Sequence, residues 1–126
     1  MGLVGLLYIV KLNIAHVNLN SLTNKTNFVY NFLCSSNIDM FGISESWLTS
    51  EISDSSVLLP GYDIVRCDSL DGVRKHGVAL YIRKSIKYIV IDCDLNNIVV
   101  VYLHDFHIYV ITVYRPPSNN VQTIEF

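Results

Sequence analysis

The sequence has few charged residues, no excess of basic residues and no long apolar run. Of its 126 residues 16% are charged, whereas soluble domains average about 25%. Hydrophobic residues make up 51%, and the mean hydropathy is +0.36. This balance excludes a disordered or low-complexity chain, which needs the opposite composition. The net charge of −2 provides no broad basic surface, so any contact with nucleic acid has to be local.

Paired cysteines are also absent. Cys34, Cys67 and Cys93 are far apart, with no Cys-x-x-Cys pair among them. We interpret them as buried thiols of an intracellular protein in a reducing compartment, which we favour over a disulfide framework or a zinc site.

The apolar segment Gly2–Val10 is too short to span a bilayer, which takes about 20 residues. No basic residue precedes it and no small-residue cleavage site follows it, unlike a signal peptide. We therefore expect no membrane association. Residues 1–11 are predicted to be an N-terminal extension or a lead-in to the first strand, with a domain over 12–126.

Strand signals dominate the rest of the chain. Two nearly continuous apolar runs, Val99–Leu103 and Tyr109–Val113, are typical of strands covered on both faces. Such strands favour stacked sheets flanked by helices. The predicted strands are 12–19, 38–43, 62–67, 78–82, 86–91, 98–103 and 108–114.

One helix is predicted between the first two strands, because apolar residues recur at helical spacing within 24–36. Thr23 or Asn24 is available as its N-cap, and Asn37 suits a left-handed end. The order strand, helix, strand predicts a parallel crossover, and the later strands, separated by turn signals, predict a meander. The expected fold class is α/β, with a mixed sheet and one clear helix.

Three polar segments follow predicted strands and are candidates for chemistry. Glu45 directly follows an apolar strand, where a carboxylate can hold a metal ion or simply bind nearby backbone or an arginine. Asn18 ends the first strand and Asn20 comes two residues later; their amides can contact phosphate, although asparagine is also common in turns. Tyr114 and Arg115 end the last strand before two prolines, where a phosphodiester could lie or the strand could merely stop.

Five segments of the sequence form a recognisable series. They are IAHVNLNSL at 14–22, IDMFGISESWL at 38–48, LPGYDIVRCD at 59–68, GVALYI at 77–82 and VYRPPS at 113–118. In this order they resemble the endonuclease/exonuclease/phosphatase superfamily, which includes DNase I-like and apurinic endonucleases. The resemblance is closest to the endonuclease domain of LINE-like (non-LTR) retrotransposons and covers residues 12 to about 126.

The resemblance implies a role for each candidate residue. Asn18 matches the family's asparagine near the scissile phosphate, Glu45 its glutamate for Mg²⁺ (or Mn²⁺), and Tyr114 a tyrosine that contacts the phosphate. Asn20 falls where many relatives have an aspartate or asparagine that supports the metal, and an asparagine there should weaken metal binding. Arg115 could contact the DNA backbone or pair with a carboxylate inside the protein.

The sequence also departs from the family pattern. Lys75-His76-Gly77 stands where retrotransposon relatives have a run of glycines. The Gly-Asp-x-Asn and Ser-Asp-His motifs of the family site are absent. We therefore expect the N-terminal half of a four-layer α/β sandwich, a partial domain truncated at its C-terminus. None of the four histidines is predicted to replace the missing general base, and His76 is expected to lie exposed in a turn.

The resemblance implies a fragment of a Mg²⁺-dependent endonuclease that nicks target DNA for a retrotransposon. Its partners would be DNA and a downstream reverse transcriptase, and it would act in the nucleus. We expect this chain to be inactive by itself and to self-associate through uncovered apolar surface. The alternative is a non-catalytic, transposon-derived β-rich remnant or binding module.

Overall fold

The computed structural model describes residues 11–68 and 75–117, which form one α-helix, seven strands and a 3-10 turn at Asp54–Ser56. The α/β class predicted from the sequence is confirmed. Residues 1–10, in the predicted extension or lead-in, and 118–126, at the end of the predicted domain, lie outside the described residues. The elements are β1 (Ile14–Asn18), α1 (Thr26–Ser35), β2 (Met40–Ser44), β3 (Tyr62–Cys67), β4 (Val78–Arg83), β5 (Ile89–Ile91), β6 (Ile98–Leu103) and β7 (Ile108–Val113).

The strands form two sheets. The first has the order β1-β2-β4-β3, with β1 and β2 parallel and the other pairs antiparallel. Helix α1 makes the crossover between β1 and β2, as predicted. The second sheet, β5-β6-β7, is an antiparallel meander, which is also as predicted. Parallel pairing brings the carboxyl ends of β1 and β2 to the same edge, where Asn18 lies opposite Ser44.

The two central strands of the first sheet, β2 and β4, are buried because both of their faces are covered. All five residues of β2 are buried, as are the first five of β4. One face packs against α1, through Val29 and Leu33, and against the segment 48–59. The other face packs against the second sheet, chiefly through alternate residues of β6. The described residues therefore form three layers: helix, sheet and sheet.

The outer face of the second sheet is not covered by any described residue. Tyr109, Ile111 and Val113 of β7 are 64%, 57% and 58% exposed. The sequence prediction that residues 109–113 are buried on both faces is therefore wrong over the described part of the chain. The physical reason is that β7 turns only alternate residues, such as Thr112, towards the first sheet.

We predict concentration-dependent self-association of the chain through this face. Monomeric proteins rarely expose large contiguous apolar patches, and burying three such side chains against a second copy is favourable. Ile111→Lys should shift light scattering towards the monomer, whereas Lys84→Ala, at an exposed position elsewhere, should not. A wild-type sample that stays monomeric at high concentration would contradict this expectation.

Several predicted boundaries differ from the structure, and two of the differences have a visible cause. Helix α1 begins at Thr26 with Lys25 at the N-cap position, and neither Thr23 nor Asn24 caps it. Instead, the Lys25 ammonium binds the carbonyl oxygens of Leu19 and Asn20, at 2.6 and 2.7 Å. Strand β5 begins three residues later than predicted, because Arg83 and Ile86 close a turn. The left-handed helix end at Asn37 is confirmed by its φ of 50°.

All three cysteines are free thiols, but the prediction that they are buried is wrong. Cys34 is exposed on α1, and Cys67 and Cys93 are half-buried. The described residues contain no helix that is both long enough and apolar enough to cross a membrane.

Candidate functional site

The phenol of Tyr114 donates a hydrogen bond to Glu45 Oε1 at 2.6 Å. Glu45 directly follows β2 of the first sheet, and Tyr114 directly follows β7 of the second. The positions of Asn18, Glu45 and Tyr114 at strand ends in the sequence predict that one sheet carries all three residues, and the structure corrects this prediction by placing them on two sheets. The contact forms because the two stacked sheets end at the same rim of the molecule.

Glu45 and Trp47 have strained backbones, with φ of 53° and 56°. Left-handed conformation costs a residue with a side chain about 1–2 kcal/mol. Backbone hydrogen bonds hold the segment from two sides. Ser46 N donates to Gly77 O at 3.1 Å and Trp47 N to His76 O at 3.0 Å, while Glu45 O accepts from Ser21 N at 3.0 Å. Such strain persists where surrounding structure enforces it, often at functional sites.

Asn97 joins the two sheets at this rim. Its side-chain oxygen accepts a hydrogen bond from Gly77 N at 2.8 Å, and its carbonyl accepts one from Tyr114 N at 2.9 Å. The residue is only 6% exposed. Sequence analysis missed it, because an asparagine between two strands signals a turn and not which segments that turn connects.

A cavity of about 390 Å³ opens around the Glu45–Tyr114 contact. Asn20 reaches it through a left-handed turn, with φ of 52° at Asn20 and 88° at Ser21. We call this cavity the Glu45 pocket. Its lining residues are Asn20, Glu45, Trp47, Lys75, His76, Tyr114 and Pro117.

Two residues of the segment Lys75-His76-Gly77 also line the pocket. The half-buried His76 packs its ring edge-on against Tyr114, with 5.8 Å between ring centroids. The Lys75 ammonium lies 5.8 Å from the centroid of the Trp47 ring. The expectation that His76 is exposed is therefore wrong, because the residue is half-buried at the pocket.

The candidate residues do not all meet in the pocket. Asn20, Glu45 and Tyr114 line it. Asn18 lies exposed at the same rim, at the end of β1, but is not among the lining residues. Arg115 follows Tyr114, is exposed, and is also not a lining residue.

The hydrogen bond to Glu45 raises the pKa of Tyr114 from its ordinary value of 10.0 to about 12, with smaller contributions from burial and the carboxylate charge. The pKa of Tyr114 is therefore higher in the folded state than in the unfolded state. The hydrogen bond to Glu45 stabilises the fold fully below about pH 10, and this stabilisation is lost as the pH rises through about 12.

We predict that Glu45→Gln lowers the pKa of Tyr114 part of the way towards 10, because the amide oxygen can still accept the hydrogen bond of the phenol but carries no charge. The phenolate absorbance of each protein is titrated and that of its Tyr114→Phe counterpart is subtracted, since the chain has eight tyrosines. An unchanged pKa in Glu45→Gln would show that the carboxylate is not the cause of the shift.

The donor set of the pocket fits a weakly held magnesium ion. No group of three or more His, Cys, Asp and Glu that could hold a metal is present in residues 11–68 and 75–117. Magnesium nevertheless keeps several waters and is often bound through one or two carboxylates and substrate phosphates. Glu45, with Asn20 as a neutral oxygen ligand, meets that requirement and does not form a closed metal cage.

Comparison with solved structures shows a shared fold. The AP endonuclease from Archaeoglobus fulgidus superposes with a TM-score of 0.62 and 19% identity, over 82% of this chain and 41% of that one. The AP endonuclease LMAP from Leishmania major gives 0.63 and 14%, over 80% and 38%. A variant of the 3′ phosphatase NExo from Neisseria, bound to a product DNA hairpin, gives 0.59 and 20%, over 82% and 41%.

No protein-family model matches the chain, and no curated protein matches it significantly. The chain spans about two fifths of the length of the structures that it resembles. It therefore has a DNase I-like α/β fold over part of that fold's extent, as predicted. At 14–20% identity the likeness establishes the fold alone.

Proposed function

We propose that the chain carries part of the active site of a divalent-metal-dependent DNA endonuclease, in which the Glu45 pocket holds a backbone phosphate. The main support is the contact of Tyr114 with Glu45, which unites the ends of two sheets around a cavity in a DNase I-like fold. The solved structures with this fold include two named AP endonucleases and a phosphatase bound to DNA.

Each candidate residue has a task in this proposal. Glu45 holds Mg²⁺ or Mn²⁺, with the amide oxygen of Asn20 as a weaker ligand. When bound, the ion would polarise a phosphate oxygen. The phenol of Tyr114 fixes the orientation of the carboxylate. Asn18 and Arg115, on the exposed rim beside the pocket, contact the DNA strand on either side of the held phosphate.

The retrotransposon context belongs to the same proposal and is supported by the sequence resemblance. Residues 12–126 would be the N-terminal part of a nicking endonuclease domain that acts in the nucleus together with a downstream reverse transcriptase. A non-catalytic remnant is the second candidate, favoured by the uncovered apolar face of β7. The two candidates differ in whether Glu45 still binds a metal.

DNA binding with and without Mg²⁺ tests the proposal. The probe is a short fluorescein-labelled DNA duplex, and its anisotropy reports the affinity of the chain. We expect Mg²⁺ to tighten binding and Glu45→Gln to abolish that gain, with a loss of at least about tenfold. Glu51→Gln is the matched control, because Glu51 is exposed and does not line the pocket.

Equal responses to Mg²⁺ in the wild type and Glu45→Gln would overturn the proposal and favour the non-catalytic remnant. Thermal unfolding of each variant shows whether a loss of binding reflects a loss of fold. Glu45 is half-buried, and among the described residues the hydrogen-bond partner of its carboxylate is the phenol of Tyr114, so glutamine can replace it with little structural change.

A further inference from the structure

We propose that Lys75 and His76 form the phosphate-binding wall of the Glu45 pocket, where they hold the oxygens of a DNA phosphate opposite the carboxylate. This inference rests on the proposed function and adds to it the residues that bind the anion. Neither residue was a candidate from the sequence, where the segment Lys75-His76-Gly77 differs from the resembled family by lacking its run of glycines.

The backbone of His76 is fixed from two directions. Its carbonyl accepts a hydrogen bond from Trp47 N, and both backbone groups of the following Gly77 are bound, to Ser46 and Asn97. The His76 ring rests edge-on against Tyr114. The imidazole is therefore held at the pocket wall by contacts other than its own hydrogen bonds.

The ring nitrogens of His76 have no hydrogen-bond partner within the described residues. An imidazole always has at least one N–H donor, and it has two when it is protonated. The indole N–H of Trp47, which also lines the pocket, is buried and has no partner among the described residues, which is uncommon for a buried donor. The ring nitrogens of the half-buried His76 are not buried in this way, so they are accessible and can donate to an acceptor on a ligand in the pocket.

Lys75 supplies positive charge to the same wall. Its ammonium lies over the Trp47 ring and has no acidic partner among residues 11–68 and 75–117. A cation–π contact orients an ammonium without neutralising it. The pocket thus combines the carboxylate of Glu45 with the ammonium of Lys75 and the ring N–H of His76.

The ammonium of Lys75 and the ring N–H of His76 suit a phosphate better than a neutral or cationic ligand. A phosphate oxygen can accept from the imidazole and the ammonium at once, and charge-assisted hydrogen bonds of this kind are the stronger ones. Another oxygen can face a metal ion on Glu45. The hydroxyl hydrogen of Tyr114 is already committed to Glu45 and does not compete for the phosphate.

The test compares the affinity of His76 variants for the same labelled duplex in Mg²⁺. His76→Phe keeps a ring against Tyr114 but removes the nitrogens, and we expect about tenfold weaker binding, typical of a lost hydrogen bond to a charged group. His76→Gln keeps an N–H donor and should recover most of the affinity. His104→Ala is the control, because His104 lies beyond the far end of β6, roughly 20 Å along the strand from Asn97.

Lys75 is tested by the salt dependence of binding. Lys75→Ala should reduce the slope of log affinity against log salt by about one, the change expected for one lost phosphate contact. Lys84→Ala is the matched control, since Lys84 follows the end of β4 that is remote from the pocket.

This inference would be overturned if His76→Phe and Lys75→Ala both bind DNA with wild-type affinity. If Mg²⁺-dependent binding is still lost in Glu45→Gln, the proposed function remains supported. Loss of affinity in His76→Phe that His76→Gln does not recover would also overturn it, because packing and not the donor would then be responsible. Absence of DNA binding by the wild-type chain would overturn both.

Discussion

Replacing Gly77 with alanine is expected to destabilise the fold by about 2–5 kcal/mol. Gly77 has a φ of +101°, where a Cβ costs about 1–2 kcal/mol. That Cβ would also lie 2.7 Å from Ser46 Oγ, and overpacking of a well-packed site costs about 1–3 kcal/mol. Because Ser46 and Asn97 both bind this glycine, the same clash would displace the rim that carries Glu45.

The variant Gly61→Ala distinguishes the cost of backbone strain from the cost of the steric clash with Ser46 that Gly77→Ala also has. Gly61 also has a positive φ, +81°, but nothing lies within 4 Å of a Cβ built there. We expect a loss of about 1 kcal/mol, from strain alone. Urea unfolding of both variants gives the comparison. Equal losses would show that Ser46 moves aside freely and that the rim is not tightly built.

The second prediction is that the purified chain does not cleave DNA. In the presence of Mg²⁺ it should leave a supercoiled plasmid intact, and Glu45→Ala should give the same result. The family's Gly-Asp-x-Asn and Ser-Asp-His motifs are absent from the sequence. Transition-state stabilisation by preorganised charge is usually the largest catalytic contribution, and general acid–base catalysis adds about 10²–10⁴-fold. With one carboxylate among the described residues that line the pocket, the contribution of preorganised charge is too small for a useful rate.

Plasmid nicking that Glu45→Ala abolishes would contradict this prediction. It would mean that the general base lies within these residues. His76→Phe would then identify it, because His76 is the histidine among the lining residues of the pocket. Nicking that persists in both Glu45→Ala and His76→Phe would instead indicate a contaminating nuclease.

The sequence predicted the fold class and the strands well, because strand signals depend on local composition. The parallel crossover from β1 to β2 follows from the order strand, helix, strand. Which sheet receives the last strand is not a local property, since the apolar runs of β6 and β7 resemble those of β2 and β4. Tyr114 was therefore assigned to the wrong sheet, although its position at a strand end was correct.

The site was predicted only in part, for a related reason. Glu45 and Tyr114 are signalled by a polar residue that ends an apolar strand. His76 and Asn97 lie in turns, and their roles depend on hydrogen bonds to segments far away in the chain, such as Gly77 to Asn97 and Trp47 to His76. Turn composition predicts that the chain reverses, but not which neighbours it meets there.

The central claim is that Glu45 binds a divalent metal in this pocket, and Mn²⁺ tests it most directly. Trp47 is the only tryptophan in the chain and lines the pocket, so its indole N–H gives a single, site-specific NMR signal. Substoichiometric Mn²⁺ should broaden that signal by paramagnetic relaxation and leave the amide of Leu103, at the far end of β6, sharp. Glu45→Gln should remove the broadening, and Glu51→Gln should not. A sharp Trp47 signal in the wild type, or broadening that survives in Glu45→Gln, would contradict the account.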